Sequence, residues 1–546
     1  MIAAFPRPPR SNMPPMIEVE LKFQVPAAAR RAVQAAVERG ASHRTRLRAI
    51  YFDTPDRRLA AAGLALRLRH EGSGWVQTAK AGGADAMQRL EHNVALPTPK
   101  AARSGAEPGV DPLRHAGTPV GDRLAAALAP GIGEAAAPPL IAHFRTDVLR
   151  RHRALRTAGG WVELAFDSGA LIAGDKRLAI CELEIELLRG QPGAVIAAAR
   201  RWVERHGVWL DVRSKAQRGD RLARGLAGGP VVKATPVVLD RGMSADAARF
   251  AVIANCLLQI MPNASEVASH AAGGAAAGGE GADHVHQLRV GLRRLRSALR
   301  FFDGWTAPLD PDWGEALTQL FRELGVARDR DALSASVLPL LRKAGAPLFD
   351  LPPAPPAPTP AEVLRAPTAT LALLAVLAFQ IEAQAPRSAI AAAPLTRLEA
   401  PLPLAQAAAI RLVRWHRRIV RAATHYDALE DAERHRLRKR VKRLRYAVEF
   451  VASLHRPKAV ARYLADIAPL QESLGRYNDL CVALDTYRAA VGEDPRAWFA
   501  IGWLTARRDE LLAESATALD QFAASKPFWD AGKSGVKAKR RRRGAR

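Results

Sequence analysis

The chain has 546 residues, 48% of them hydrophobic, and a formal net charge of +27. Length and apolar share exclude a disordered chain and leave room for two or more domains with sizeable cores. The charge predicts polyanionic partners without choosing among nucleic acid, an anionic membrane surface and polyphosphate. Cys181, Cys256 and Cys481 lie far apart and match no zinc or disulfide spacing, so a reducing cytoplasm is expected. Residues 1–15 read as a disordered leader without the apolar core of a signal peptide. The longest apolar run, Leu371 to Phe379, is too short to span a bilayer, so no membrane insertion is expected.

The first periodic stretch is Ile17-Glu18-Val19-Glu20-Leu21-Lys22-Phe23. Strict alternation is the signature of a half-buried strand, with Glu18, Glu20 and Lys22 on one face. The pattern recurs in Leu66-Arg67-Leu68-Arg69, Thr78-Ala79-Lys80, Arg89-Leu90-Glu91 and Glu182-Leu183-Glu184-Ile185-Glu186. Both signs of charge fall on one face, strand after strand. A closed sheet with a charged interior satisfies all of them together. Its carboxylates would suit a divalent metal and its cations a polyanion. Ala27 to Arg39 and Ala194 to His206 read as helices, Pro97 to Gly121 as a loop, and Gly228 to Asp240 as a linker.

These motifs, with Tyr51-Phe52-Asp53-Thr54, Thr146 to Arg150, Glu163 to Gly169 and Ser214 to Gly219, stand in the order seen in the CYTH family, the triphosphate tunnel metalloenzymes. The first 225 or so residues resemble that family. One departure is visible: where the family often has a second acid after Arg-x-Glu, this chain has Asn93. The resemblance implies an α+β domain built on a closed antiparallel β-barrel tunnel that hydrolyses a triphosphate with Mg²⁺ or Mn²⁺. It makes Glu18, Glu20 and Lys22 catalytic and Glu18, Glu20 and Glu184 the first metal ligands. Glu182 and Glu186 are candidates as ligands or as partners of the arginines. Arg67, Arg69, Lys80, Arg89, Arg150, Lys215 and Arg218 are the expected phosphate-binding groups. No Ser/His/Asp arrangement and no Gly-Lys-Ser/Thr phosphate loop stands out.

From about Met243 the period becomes helical, interrupted by a Gly/Ala tract at Ala271 to Gly281 and a Pro-rich connector at Pro347 to Pro360. The half contains a repeat. His286, Arg289, Arg293 and Arg296 are matched by His435, Arg438, Lys442 and Arg445. Leu324-Gly325-x-x-Arg328-Asp329 is matched by Leu474-Gly475-x-x-Asn478-Asp479, read as a turn. Positions 0, 3, 7 and 10 fall in one stripe of a helix, beside the apolar stripes Leu288, Leu292, Leu295, Leu299 and Leu437, Val441, Leu444, Val448. Like charges so spaced cost helix stability unless an anion compensates them. His416 lacks such a stripe and reads as a surface or packing histidine. The motifs resemble the CHAD family, which implies an all-α helical-repeat domain of two related halves that binds inorganic polyphosphate along both stripes.

The expected division is a leader at 1–15, a tunnel domain at 16–228, a linker at 229–242, a helical domain at 243–528 and a basic disordered tail at 529–546. The expected function is hydrolysis of inorganic triphosphate, with a companion domain that recruits substrate or locates the enzyme on polyphosphate granules. Two alternatives stand beside it. One is a thiamine triphosphatase or class IV adenylyl cyclase activity. The other is a non-catalytic module for polyphosphate or nucleic acid. An aromatic content of 6%, with only Tyr446 near the stripes, disfavours stacking of single-stranded bases.

Overall fold

The computed structural model describes residues 16–83, 85–97, 107–131, 138–270, 280–306, 311–332, 337–347, 357–382 and 402–529. The leader, nearly all of the Gly/Ala tract, most of the Pro-rich connector and the tail from residue 530 lie outside them. The strands are β1 (Met16–Gln24), β2 (His43–Asp53), β3 (Leu64–Glu71), β4 (Gly74–Gly82), β5 (Gln88–Leu96), β6 (Ile141–Thr157), β7 (Gly160–Ala173), β8 (Lys176–Gly190) and β9 (Trp209–Leu210). Interspersed with them are helices α1 (Arg30–Val37), α2 (Arg58–Ala61), α3 (Pro119–Leu128), α4 (Gly193–His206) and α5 (Lys215–Arg224). The rest is helical: α6 (Ala245–Ser269), α7 (Glu280–Phe302), α8 (Pro311–Ala332), α9 (Leu338–Lys343), α10 (Pro360–Arg365), α11 (Pro367–Glu382), α12 (Leu404–Ala423), α13 (Asp431–Phe450), α14 (Pro457–Ala490) and α15 (Ala497–Ala523). Two compact units result. The first holds Met1–Val231 with Met261–Gly274 and Leu364–Ile381, and the remainder forms the second.

In the first unit eight antiparallel strands run in the order β5-β4-β3-β2-β6-β7-β8-β1, and β1 pairs with β5 to close the barrel; β9 adds to β1. The expected closed sheet is therefore present. Its apolar face points outward. Leu21, Phe23, Leu164, Phe166, Leu183 and Ile185 are buried, with α4 on β1, β7 and β8 and α1 on β6 and β7. Each such side chain contributes about 1.5–3 kcal/mol of burial. Leu59, Leu66, Ala79, Val120 and Leu124 form a second outer cluster. The alternation that looks like an ordinary half-buried sheet thus puts charge inside and hydrocarbon under the helices. Within the stretch expected as loop, Pro112–His115 is a 3-10 turn and α3 starts at Pro119. There Thr118 caps Gly121 N–H and proline occupies the first turn.

At one end the interior is apolar, and α5 fills it. Ala216, Leu222 and Ala223 pack with Ala49, Tyr51, Phe144, Val148 and Leu171. Gly219 permits the approach, since a Cβ there would stand 2.1 Å from a ring carbon of Phe144.

In the second unit α7 buries Leu288, Leu292 and Leu295 of its apolar stripe, with Leu299 only partly buried, and α13 buries all four of its own, Leu437, Val441, Leu444 and Val448. His416 is a packing histidine: Nδ1 hydrogen-bonds Tyr463 Oη at 2.8 Å, and the ring lies against Phe522 and Trp529. The two Leu-Gly motifs are not turns. They lie inside the uninterrupted helices α8 and α14. A mid-helix glycine costs about 1 kcal/mol, which the packing of long helices outweighs, and at 325 it has a use. A Cβ there would meet the Arg289 guanidinium at 2.7 Å. Among the described residues no helix is long and apolar enough to cross a membrane.

Gly219→Ala is expected to destabilise the first unit by about 1–3 kcal/mol through overpacking against Phe144. Urea unfolding checks it: the midpoint should fall with the slope unchanged.

Candidate functional site

Strand register sorts the interior charges into levels. Glu163 on β7 lies opposite Glu186 on β8, and Glu186 opposite Glu20 on β1. One level along, Ala165, Glu184 and Lys22 face one another; the next holds Asp167, Glu182 and Gln24. On the other side Glu18 lies opposite Arg89, Lys80 opposite Glu91, and Arg67 opposite both Tyr51 and Thr78. Arg150 and Arg69 complete the wall, and Lys215 and Arg218 enter from α5, whose start is fixed by a Ser214–Gln217 capping box. The strand residues named from the sequence thus share the inner surface, which Lys215 and Arg218 approach from α5.

The two acidic groups inside the barrel differ. Asp167, Glu182 and Glu184 offer oxygens within 4.8 Å of one another. They are already neutralised. Arg150 bonds Asp167 at 2.7 Å and also Glu184, Lys215 bonds Asp167 and Glu184 at 2.7 Å each and also Glu182, and Arg218 bonds Glu182. Although buried, Glu184 is held well below the ordinary carboxylate range by Lys215 and Arg150, and Asp167 is also lowered by them. The other group is paired more loosely, and its Glu163 lies 3.1 Å from His152 Nδ1. Lys80 reaches Glu18 at 2.8 Å and also pairs with Glu91, and Arg89 stands 3.9 Å from Glu20. Burial pushes Glu186 up to about 7, helped by Glu163, Glu91 and Glu20 and opposed by Lys80. Burial also raises Glu18 well above its ordinary value despite Lys80, while Glu91, which shares that lysine, stays ionised. Carboxyls raised by burial and by neighbouring carboxylates are ones whose ionised form a divalent cation with oxygen ligands would stabilise. Among the described residues only Asp167, Glu182 and Glu184 bring three carboxylate oxygens within 4.8 Å of one another, whereas Glu18, Glu20, Glu163 and Glu186 line the wall without converging in that way.

Three cations on the wall stand apart from the Asp167–Glu182–Glu184 network. Burial lowers the Lys22 ammonium to about 8 against the pull of Glu182, and no ion-pair partner lies within reach of it among the described residues. Arg67 bonds Tyr51 Oη at 3.1 Å, and its Nε is buried without a partner. Arg69 pairs with Glu71, yet burial and Arg67 bring it down to about 10. Sequence reasoning gave no role to Asp167, Glu163 or Glu91. The alternation Glu163-Leu164-Ala165-Phe166-Asp167 carried the signal, weakened by the alanine at its centre. Asn93 accepts from Thr78 Oγ1 at 2.7 Å and donates to Glu91 at 2.7 Å, so the amide in the family's acid position orients Glu91.

In the second unit His286, Arg289, Arg293 and Arg296 lie half-buried on α7, as do His435, Arg438, Lys442 and Arg445 on α13. The stripes share one field. Lys442 falls to about 7 through burial, Arg438 and Arg293, and Lys439 is lowered by burial, then Arg296. Arg289, Arg293 and Arg296 stand 4.6, 5.5 and 5.4 Å from the Phe321 ring centroid. His435 bonds Asn478, and Arg438 lies 3.8 Å from Asp479, both from the second Leu-Gly motif.

Residues 16–219 match the CYTH domain model and residues 259–488 the CHAD domain model. The chain belongs to the proteins that carry a CYTH domain followed by a CHAD domain. CYTH domains are triphosphate-binding tunnel enzymes that depend on metal, and CHAD domains are linked to polyphosphate. Similar solved structures include the CHAD domain of the plant Ricinus communis, at 30% identity over 54% of this chain and 96% of that one, TM-score 0.38. A candidate adenylate cyclase from Bacillus halodurans matches at 19% identity over 38% and 98%, TM-score 0.27. A candidate adenylyl cyclase from Hippeastrum, described as having a dominant triphosphatase activity, matches at 17% over 38% and 96%, TM-score 0.29.

Arg150→Met would leave Asp167 and Glu184 short of a counter-charge and is expected to cost about 3–5 kcal/mol. Glu184 has a depressed folded-state pKa, so its stabilisation is complete above the ordinary value of 4.5 and is lost as pH falls through the folded value. Urea midpoints at a series of pH values should show a shallower acid limb in the variant.

Proposed function

We infer that the barrel hydrolyses inorganic triphosphate with Mg²⁺ or Mn²⁺, and that α7 and α13 together bind inorganic polyphosphate. The observation that carries the first part is the register that sets the carboxylates Glu163, Glu186 and Glu20 opposite one another on the same inner wall as the cations Lys22, Arg67 and Arg69. Like charges opposite one another on neighbouring strands are destabilising, so the level favours a cation. Glu20, Glu186, Glu163 and Glu18 would hold the metal, which supplies charge neutralisation and Lewis acidity to the reacting phosphoryl group. Lys22, Arg67 and Arg69 clamp phosphate oxygens and orient the chain for in-line attack. Lys80, Arg89, Arg150, Lys215 and Arg218 keep the surrounding carboxylates ionised and in place. Burial of the whole set strengthens each contact with the transition-state charge. Labour is divided between residues 16–228 and 243–528, in a cytoplasmic protein found where polyphosphate accumulates.

Phosphate release from tripolyphosphate, ATP, thiamine triphosphate and long polyphosphate, with and without Mg²⁺ or Mn²⁺, tests the activity. Tripolyphosphate should be preferred and metal required; preference for ATP or thiamine triphosphate would move the reading to a relative's chemistry. Glu20→Gln with Glu186→Gln should lower turnover at least about 100-fold, as expected when charge stabilisation at a phosphoryl group is lost, while circular dichroism stays native. Near-native turnover at saturating metal would refute the ligand set.

The helical part makes a pH prediction. Lys442 is half neutral near pH 7, and a bound polyanion would restore its proton. Polyphosphate affinity should therefore rise as pH falls through 7 and weaken with added salt. Lys442→Met should remove most of that pH dependence, and Arg289→Met with Arg293→Met should weaken binding at every pH. Titration of the full chain with polyphosphate and with duplex DNA checks this, and tighter binding to DNA would favour the nucleic-acid alternative.

A further inference from the structure

The tunnel cations Lys215 and Arg218 do not stand on a barrel strand. They stand on α5, joined to β9 by Asp211-Val212-Arg213-Ser214. What holds this connection is therefore what holds them. Asp211 is fully buried; its N–H donates to Lys22 O at 2.9 Å and its carboxylate accepts from Gln24 Nε2 at 2.9 Å. Arg213 closes on the same carboxylate, Nε to Oδ1 at 2.9 Å and Nη2 to Oδ2 at 2.8 Å. Its remaining nitrogen, Nη1, donates to Ser269 Oγ at 2.7 Å and lies 3.5 Å from Glu266. Glu266 also pairs with Arg221, in the last turn of α5. Val212 N–H donates to Ser265 Oγ at 3.0 Å.

One carboxylate, 3% exposed, thus takes a guanidinium from each side of the segment that carries Lys215 and Arg218. Glu266 lies in Met261–Gly274, which belongs to the same compact unit as the barrel, and inside the stretch matched by the CHAD model. A buried carboxylate is costly unless fully paired, and removing it takes from Arg221 its carboxylate and leaves Arg213 with Asp211 alone. We propose that Glu266 is a positioning residue for the tunnel: through Arg213 and Arg221 it sets where α5 places Lys215 and Arg218. The proposal rests on the triphosphate reading for its kinetic consequence alone.

The test uses the full chain. Glu266→Gln keeps the side chain's shape and removes its charge. Hydrogen exchange should show the α5 amides losing protection about tenfold or more, with β1, β7 and β8 unchanged. The KM for tripolyphosphate should rise about tenfold with kcat within about twofold, and the rise should vanish in a Lys215→Met background. Should Glu266→Gln fail to fold, Glu266→Asp, which keeps the charge one methylene short, reads the same quantities at smaller size. Unchanged α5 protection, or protection lost evenly over the barrel, would overturn the proposal. A wild-type chain that hydrolyses no triphosphate would refute the functional reading, and the exchange experiment would still decide the position of α5.

Discussion

Charges of both signs are held inside a closed sheet, and the rest of the barrel domain follows from keeping them there. A buried ion costs several kcal/mol unless an opposite charge or a ligand compensates it. At one end compensation is internal: Arg150, Lys215 and Arg218 satisfy Asp167, Glu182 and Glu184. At the level of Glu20 and Glu186 carboxylates of neighbouring strands face one another, and burial with those neighbours raises Glu186. An enzyme for a polyanion and a metal needs charge of this kind, since a fully neutralised interior would have no affinity left for either.

The same constraint turns the sheet inside out. Because the inner face is charged, the outer face supplies the hydrophobic core, and α1 and α4 cover it. Alternation made the faces legible in the sequence, and the order of the motifs made the barrel legible. Register was not legible. No pattern within β8 says that Glu186 meets Glu163 and Glu20 while Glu182 meets Asp167, yet that decides which acids are spent. Asp167 escaped notice for this reason. The Leu-Gly motifs were misread because glycine is a local turn signal, and its use here, room for the Arg289 guanidinium, depends on a helix distant in sequence.

The helical domain shows the opposite balance. The spacing of its basic residues was readable because a helix fixes which positions share a face. What spacing could not give is the electrostatic coupling between α7 and α13, felt by Lys442 and Lys439 across the two helices. Phe321 was also missed; it is a single aromatic ring without a counterpart stripe, and it gives three arginines a common surface.

The division of the chain runs through α6, and the unit that holds the barrel also takes in Leu364–Ile381. Synthesis is vectorial. At about 5–20 residues per second, those residues leave the ribosome on the order of ten seconds after the last barrel strand. Leu373, Leu374, Val376 and Leu377 of α11, all buried, cannot take their places before then. The unit that holds the barrel is therefore completed by chain made well after its last strand.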